Sequence, residues 1–584
     1  MYRAASITLS AFLTTSFLMS AAYADPNSFT YNTDGSPYSY SKTQSGSGLS
    51  LTLTQNSSAY DTSNTAVLAK PSATISQSGS NNSITASQSG ATNGDVMPLT
   101  QSGANNAMAV TSQGGNAFHN GGFITQTGQN NTLTAFRLGA GDIGSLQIAQ
   151  AGNNNTVNAN SVGRYGVNIV QTATSSNSTA NASSGSILQE GSGQQASIAT
   201  INYGTATITQ TQSATNAVAT VAAADQSSVT INQSAAGDKA LVRDSRQGST
   251  MNLAQSGANG GIDITQAYAD RTNITQSGAN EKALVTQGSV NTLSLSQQGS
   301  GNNAKLNQDQ FSTINATQTG NDNLLNVNSI GGQNTVSNME TGNANRAILH
   351  LTSAKNTLQT DLSGNKNKAN ITIAGTRDNM EASQAGNNDS LILTITSNDS
   401  HVNLGQTGDA NIMDVNWLGG TNQIDASSHG NKNSMSFSGI GGFTSLSGTQ
   451  TGNNDNMNET YYGYNDTLGA KELGNYDTTI LSANGNSNTI ATTQTGDHNI
   501  LSASAQGNGN MLNASQNDNG NNMTLSTLGN NNSLTGTQTG NNNAMLIVFK
   551  GDNDKGAFTQ TGNNLNYTMN TNLSGKTFIA NQTK

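Results

Sequence analysis

The chain has 584 residues, with 63 Gly, 4 Pro, 1 Trp and no Cys; 9% are charged and 33% belong to the hydrophobic class. That apolar share is well below the roughly 45–50% of an ordinary globular domain, a figure that also counts Gly, so a string of conventional cores is excluded. A formal net charge of −10 argues against nucleic acid or anionic lipid as the main partner. A chain dominated by Asn, Ser, Thr, Gly and Gln is left with low-complexity disorder or a repetitive β architecture with a partly polar interior.

The first residues read as a secretory signal over 1–24. Arg3 is its positive start, Ala11 to Met19 its short apolar stretch and Ala22-Tyr23-Ala24 a small-x-small cleavage site, so the mature chain is expected to begin at Asp25. No later apolar run approaches the roughly 18 residues of a membrane span, and none is expected after cleavage. Without Cys, an exported chain must rely on backbone pairing and packing instead of disulfides. Segment 25–72, with Tyr31, Tyr38, Tyr40 and Tyr60, lies outside the clean repeat and is expected to be irregular, either an export-targeting segment or a flexible leader. Residues 73–576 read as the repeat array and 577–584 as a C-terminal tail. Pro26, Pro37, Pro71 and Pro98 are the only prolines, as expected if later inner strands need every ladder hydrogen bond.

The array has an 11-residue beat. Stepping from Gly320 to Gly562 gives 23 positions, of which 20 are Gly, against roughly 2 or 3 expected from 63 Gly in 584. Three residues later stands Asn or Asp at 20 of 23, and two residues after that an apolar residue at 21 of 23. The turn glycines include Gly320, Gly342, Gly364, Gly386, Gly408, Gly452, Gly496, Gly540 and Gly562; the turn asparagines include Asn323, Asn345, Asn367, Asn411, Asn499 and Asn543. A period of 22 overlies the beat: two residues before every other Gly stand Gln318, Gln384, Gln406, Gln450, Gln494, Gln516, Gln538 and Gln560, with Glu340, Leu362, Ser428 and Glu472 as exceptions. Before Gly320 the beat continues with slips, as at Gln101-Ser-Gly103, Gln126-Thr-Gly128 and Gln276-Ser-Gly278, and is weakest from Gln171 to Gly248.

Counted from its Gly, each half has Asn at +3, an apolar residue at +5 and Gln at +9. These alternate positions share one face of a strand, while Gly and Asn suit the turn. Two halves then make one coil, strand–turn–strand–turn. The predicted fold is an all-β, amyloid-like solenoid of two facing parallel sheets. Roughly 500 residues at 22 per coil give about 23 coils. A buried amide must satisfy two donors and an acceptor, which stacked Gln side chains do for one another in a ladder along the axis. Open edges of such a stack template another chain, so end-to-end self-association into fibres is the function these residues most directly imply.

Other chemistry is sparse. Gly139-Ala-Gly141-Asp-Ile-Gly144 matches a dinucleotide-binding pattern, but no helix pattern follows it. His119, His350, His401, His429 and His498 share no metal spacing. No enzyme, cofactor or catalytic residue is expected. Asp455 and Asp477 should stack on one turn, either binding Ca²⁺ or, more simply, lying solvated and screened. Glu340 and Glu472 interrupt the glutamine column and would moderate aggregation; Gln450 and Gln494 are both expected to donate to Glu472. Thr pairs such as Thr493/Thr495 and Thr537/Thr539 form outward rows, which leaves an ice-binding alternative, and a monomeric solenoid adhesin is another.

The unit Gln-x-Gly-x-x-Asn-x-apolar, as in Gln126-Thr-Gly128-Gln-Asn-Asn131-Thr-Leu133, Gln318-Thr-Gly320-Asn-Asp-Asn323-Leu-Leu325 and Gln538-Thr-Gly540-Asn-Asn-Asn543-Ala-Met545, resembles the curlin repeat. The likeness covers nearly the whole mature chain. It implies a β-solenoid at the surface of a bacterium that polymerises into extracellular amyloid for biofilm and adhesion, with a curli-type nucleator and an outer-membrane secretion pore as partners. The chain departs from curlins in having many more repeats, and after Gly320 only alternate halves keep the Gln.

Overall fold

The computed structural model describes residues 28–34, 39–45, 50–56 and 72–584, apart from 90–95, 114–122, 139–146, 163–166, 182–184, 202–204, 225–227, 245–249, 267–270, 287, 289–291, 308–312, 332, 353–354, 376, 397–398, 421–422, 441–444 and 461. The leader over 1–24, His119 and the Gly139–Gly144 motif lie outside the described residues.

Every described element is a β-strand or a turn, and the strands pair in parallel; the chain is a β-solenoid of about 22 residues per turn. It has about 19 turns, against the expected 23; the step between paired strands is uneven near the start, as Ser39 pairs with Ser72, Ser72 with Val96, and Leu99 with Ile124.

Two compact units divide at Ser289 and Val290. In the first, one sheet of 12 described strands runs in sequence order from Ser28–Asp34 to Lys282–Leu284. The intervening strands, from Ser39–Ser45 to Arg271–Gln276, form the sheet opposite. Part of the segment expected to be irregular is thus built into the fold: Ser28–Asp34 pairs with Ser50–Asn56, and Ser50–Asn56 with Ser83–Ser89. Alternating Thr, Leu and Tyr in these stretches give them the period-2 pattern of a strand. Separations between equivalent residues vary in this unit, and the turns absorb the difference.

In the second unit the register settles at 22 residues from Gln318↔Glu340 onward, through Thr489↔Met511 and Ser533↔Lys555. The expected C-terminal tail is instead a rung: Thr577–Thr583 pairs residue for residue with Lys555–Thr561. It is another copy of the strand half, with Gln582 opposite Gln560. Conversely, not every half is a full strand. Gln406–Thr407 and Ser428–His429 are two-residue strands, and Leu324↔Arg346 and Arg346↔Lys368 are single bridges. There the backbone leaves the extended region, with φ of +104° at His350 and +39° at Leu351, which breaks the ladder on either side.

The inward row carries the core. Leu325, Met413, Leu501 and Leu534 are fully buried, each contributing about 1.5–3 kcal/mol by leaving water. Size alternates across the interior. Small inward residues such as Gly448 and Gly536 face large ones: a Cβ on Gly448 would come within 2.8–2.9 Å of Met435 Cε and Met457 Sδ.

Candidate functional site

The repeated surface is a set of three side-chain columns parallel to the axis. The first is the glutamine column. Gln494 Nε2 donates to Gln516 Oε1, Gln516 to Gln538 and Gln538 to Gln560, each at 2.9 Å, and Gln560 to Gln582 at 2.8 Å. Gln384 and Gln406 are paired in the same register. All of these but Gln582 are buried. The second amide hydrogen crosses the interior, from Gln516 to Ile500 O at 3.0 Å, from Gln538 to Asn522 O at 3.1 Å and from Gln560 to Ala544 O at 3.0 Å. Each Gln therefore ties its own sheet along the axis and to the sheet opposite.

The column does not fade where the sequence beat does. In the first unit, Gln171 donates to Gln189 at 2.7 Å, Gln189 to Gln210 at 2.7 Å, Gln210 to Gln233 at 2.8 Å and Gln233 to Gln255 at 2.9 Å. These steps span 18, 21, 23 and 22 residues, so the turns stretch or shrink while the inward Gln stays in line.

The second column is the turn asparagine. Asn345 N donates to Asn323 Oδ1 at 2.9 Å, while Asn345 Nδ2 donates to Thr341 O at 3.1 Å and Gly364 O at 2.8 Å. Asn367 repeats the pattern on Asn345, as do Asn499 on Asp477, Asn521 on Asn499 and Asn543 on Asn521 at the N–H···Oδ1 bond. Asn411 N donates to Asp389 Oδ1 at 2.9 Å. The turn closes on two left-handed residues. One is the expected glycine: Gly342 has φ of +113°, and a Cβ there would sit 1.8 Å from the Gly364 carbonyl oxygen. Gly320, Gly364, Gly386, Gly408, Gly452, Gly496, Gly540 and Gly562 also have positive φ. The other, one residue before the column Asn, was not anticipated. It is Ala344, Lys366, Tyr476 or His498 as readily as Asn388 or Asn454, with φ near +60°. Asn recurs there, which is the trace a left-handed position leaves in a sequence.

The third column escaped sequence reasoning. Asn343 Oδ1 accepts from both Asn321 N (3.0 Å) and Asn321 Nδ2 (2.9 Å), and Asn365, Asn387 and Asp409 continue the row on the exposed edge of the turn. The signal was the Gly-Asn dipeptide recurring every 22 residues.

Acids sit within these columns. Asp455 and Asp477 do stack, but they are 1% and 0% exposed, which overturns the reading of a solvated turn. They occupy the asparagine column: Asp477 N donates to Asp455 Oδ1 at 3.1 Å, and Asn499 N to Asp477 Oδ1 at 2.8 Å. Their Oδ2 atoms, standing where Asn has its donor, have no hydrogen-bond partner. Burial lifts both carboxyls from the ordinary 3.8 to about 6, against the backbone hydrogen bonds that lower them. Among the described residues no group of three or more His, Asp or Glu is placed to hold a metal ion. Glu340 takes Gln318 Nε2 at 2.8 Å and Ala347 N at 3.1 Å. Glu472 takes the amide of Gln450 at 2.8 Å but not that of Gln494, contrary to expectation. From Gln494 to Gln560 the column amides all point onward, so Gln494 donates away from Glu472 and its oxygen accepts from Thr479 Oγ1 at 2.5 Å.

Fold and columns together define a parallel β-solenoid repeat protein with amide ladders. No protein-family model, curated protein or solved structure matches the chain.

Proposed function

We propose that the chain is a secreted structural subunit that polymerises end to end into extracellular, curli-like amyloid fibres serving biofilm matrix, adhesion and surface attachment. The observation that supports this reading is the 22-residue register from Gln318 to Gln582, in which Gln494, Gln516, Gln538, Gln560 and Gln582 bond like to like along the axis. A rung that matches its neighbour residue for residue also matches the same rung of another copy. The strand Thr577–Thr583 pairs with Lys555–Thr561 along one edge, and a second copy adds to the other by the same bonds. A curli-type nucleator, an outer-membrane pore and a bacterial surface location belong to the same proposal.

The test is thioflavin fluorescence of the purified mature protein across concentrations, with and without seeds, followed by fibre diffraction. A lag abolished by seeds and a reflection at about 4.7–4.8 Å along the fibre axis are expected. A protein that stays monomeric at every concentration would overturn the proposal in favour of a rod-like adhesin.

A further inference from the structure

Two glutamates lie buried in the coils between residues 445 and 499. Glu472 stands in the glutamine column between Gln450 and Gln494 and is fully buried. Its Oε2 accepts from Gln450, while its Oε1 has no hydrogen-bond partner. Glu459, on the inward face of the preceding half, is 1% exposed, and neither of its carboxyl oxygens has a hydrogen-bond partner. The two acids act on each other electrostatically. Asp455 and Asp477 add further negative charge towards Glu472.

The other groups packed around them supply one hydrogen bond and no paired cation. Gln450 donates to Glu472 at 2.8 Å, the Thr479 hydroxyl gives its hydrogen to Gln494, and Lys471 is exposed on the outer face. Asp497 and His498 act on Asp477. Neither glutamate belongs to an ion pair; the pair described in this unit joins Arg377 and Asp399 at 3.8 Å. Two buried carboxylates with no cation cannot both ionise without a penalty far above that in water.

We propose that Glu459 and Glu472 form a proton lock, the coils closing around them only when the pair carries protons, so that the solenoid is firm in acid and loosens as the medium turns alkaline. A protonated Glu472 is an isostere of the Gln it replaces, with one O–H donor to give the column. Desolvation pushes Glu472 from the ordinary 4.5 to about 8, and pushes Glu459 well upward with Glu472 as a second cause. Their protons belong to the pair. Between about pH 4.5 and 8 the folded chain holds protons that the unfolded chain has released. Its stability is therefore full below that window, falls as pH rises through it and levels off above. The inference concerns the folded chain and is independent of fibre formation.

The full mature chain, with glutamate labelled at the carboxyl carbon, is titrated by NMR from about pH 5 to about 9 beside a labelled glutamate peptide. Two resonances, assigned by their loss in E459Q and E472Q, are expected to titrate near or above neutrality, well after the peptide. In parallel, guanidinium unfolding of wild type is expected to show an unfolding constant that rises up to about tenfold per pH unit for each proton released. In E459Q/E472Q that rise shrinks between about pH 6 and 8; the share due to Glu340, also held at about 8, stays. If both resonances follow the peptide, or the double variant keeps the wild-type slope, the lock is refuted. Should the double variant not fold, the wild-type titration and E472Q alone decide.

Discussion

Gln494 Nε2 donates both to Gln516 Oε1 at 2.9 Å, 22 residues ahead in the same sheet, and to Thr478 O at 3.2 Å on the sheet opposite. One amide thereby fixes the stacking register and the spacing between sheets. A purely apolar interior would fix neither, since apolar contact carries no direction.

Replacing Gln516 by Met keeps the volume but removes the amide. Gln494 then loses its axial acceptor and Gln538 Oε1 its donor. With each orphaned buried group costing about 1–3 kcal/mol, the guanidinium midpoint should fall by a corresponding amount, and fibres should form more slowly.

Gly342→Ala should be far worse. The residue has φ of +113°, and the new methyl would overlap the Gly364 carbonyl at 1.8 Å, so backbone must move in two coils at a cost of roughly 3 kcal/mol or more. Gly469→Ala is the control. There a Cβ meets nothing nearer than Ser447 O at 3.9 Å, and thermal unfolding should shift little.

Asp455→Asn should stabilise the chain above neutrality. Asn433, one coil earlier, shows what the new amide would do: its Nδ2 donates to His429 O and Gly452 O, both at 3.1 Å. The wild-type carboxyl is raised from 3.8 to about 6, chiefly by desolvation. Its stabilising proton is retained below the lower value and lost as pH rises to the upper. The gain should be about 1–3 kcal/mol above pH 6 and shrink towards zero in acid. Urea or guanidinium midpoints measured across that range would show the convergence; a gain independent of pH would contradict it.

Gln189→Ala tests the column where the repeat is least visible. Gln189 Oε1 accepts from Gln171 Nε2 at 2.7 Å and Ser178 Oγ at 2.6 Å, and Gln189 Nε2 donates to Gln210 at 2.7 Å. The loss should match that of the Gln516 variant, about 1–3 kcal/mol or somewhat more for the added cavity, read from the unfolding of the full chain.

The coil length, the turn Gly, the inward Asn and the inward Gln were legible because each depends on local chemistry repeated at fixed spacing. Gly342 needs its φ whatever lies above it, and Gln494 recurs in phase with Gln516. The Gln171–Gln255 column was not legible by counting, because an insertion in a turn destroys sequence phase without moving the strand. The rung Thr577–Thr583 was read as a tail for the same kind of reason: no turn Gly follows it within the chain, although its inward Gln582 was in plain sight.

Spacing was enough to read a β-solenoid, since a period of two within a period of 22 admits parallel stacking and little else. Which side chains meet emerged only from the folded coils. Folding turned Asp455 and Asp477 from a solvated edge into buried rungs, aimed the Gln494 amide onward so that Glu472 receives one donor, and buried Glu459 where the charge of Glu472 acts on it. The reason is that spacing specifies a face and a register, whereas burial and the direction of a hydrogen bond depend on the coil above, the coil below and the sheet across.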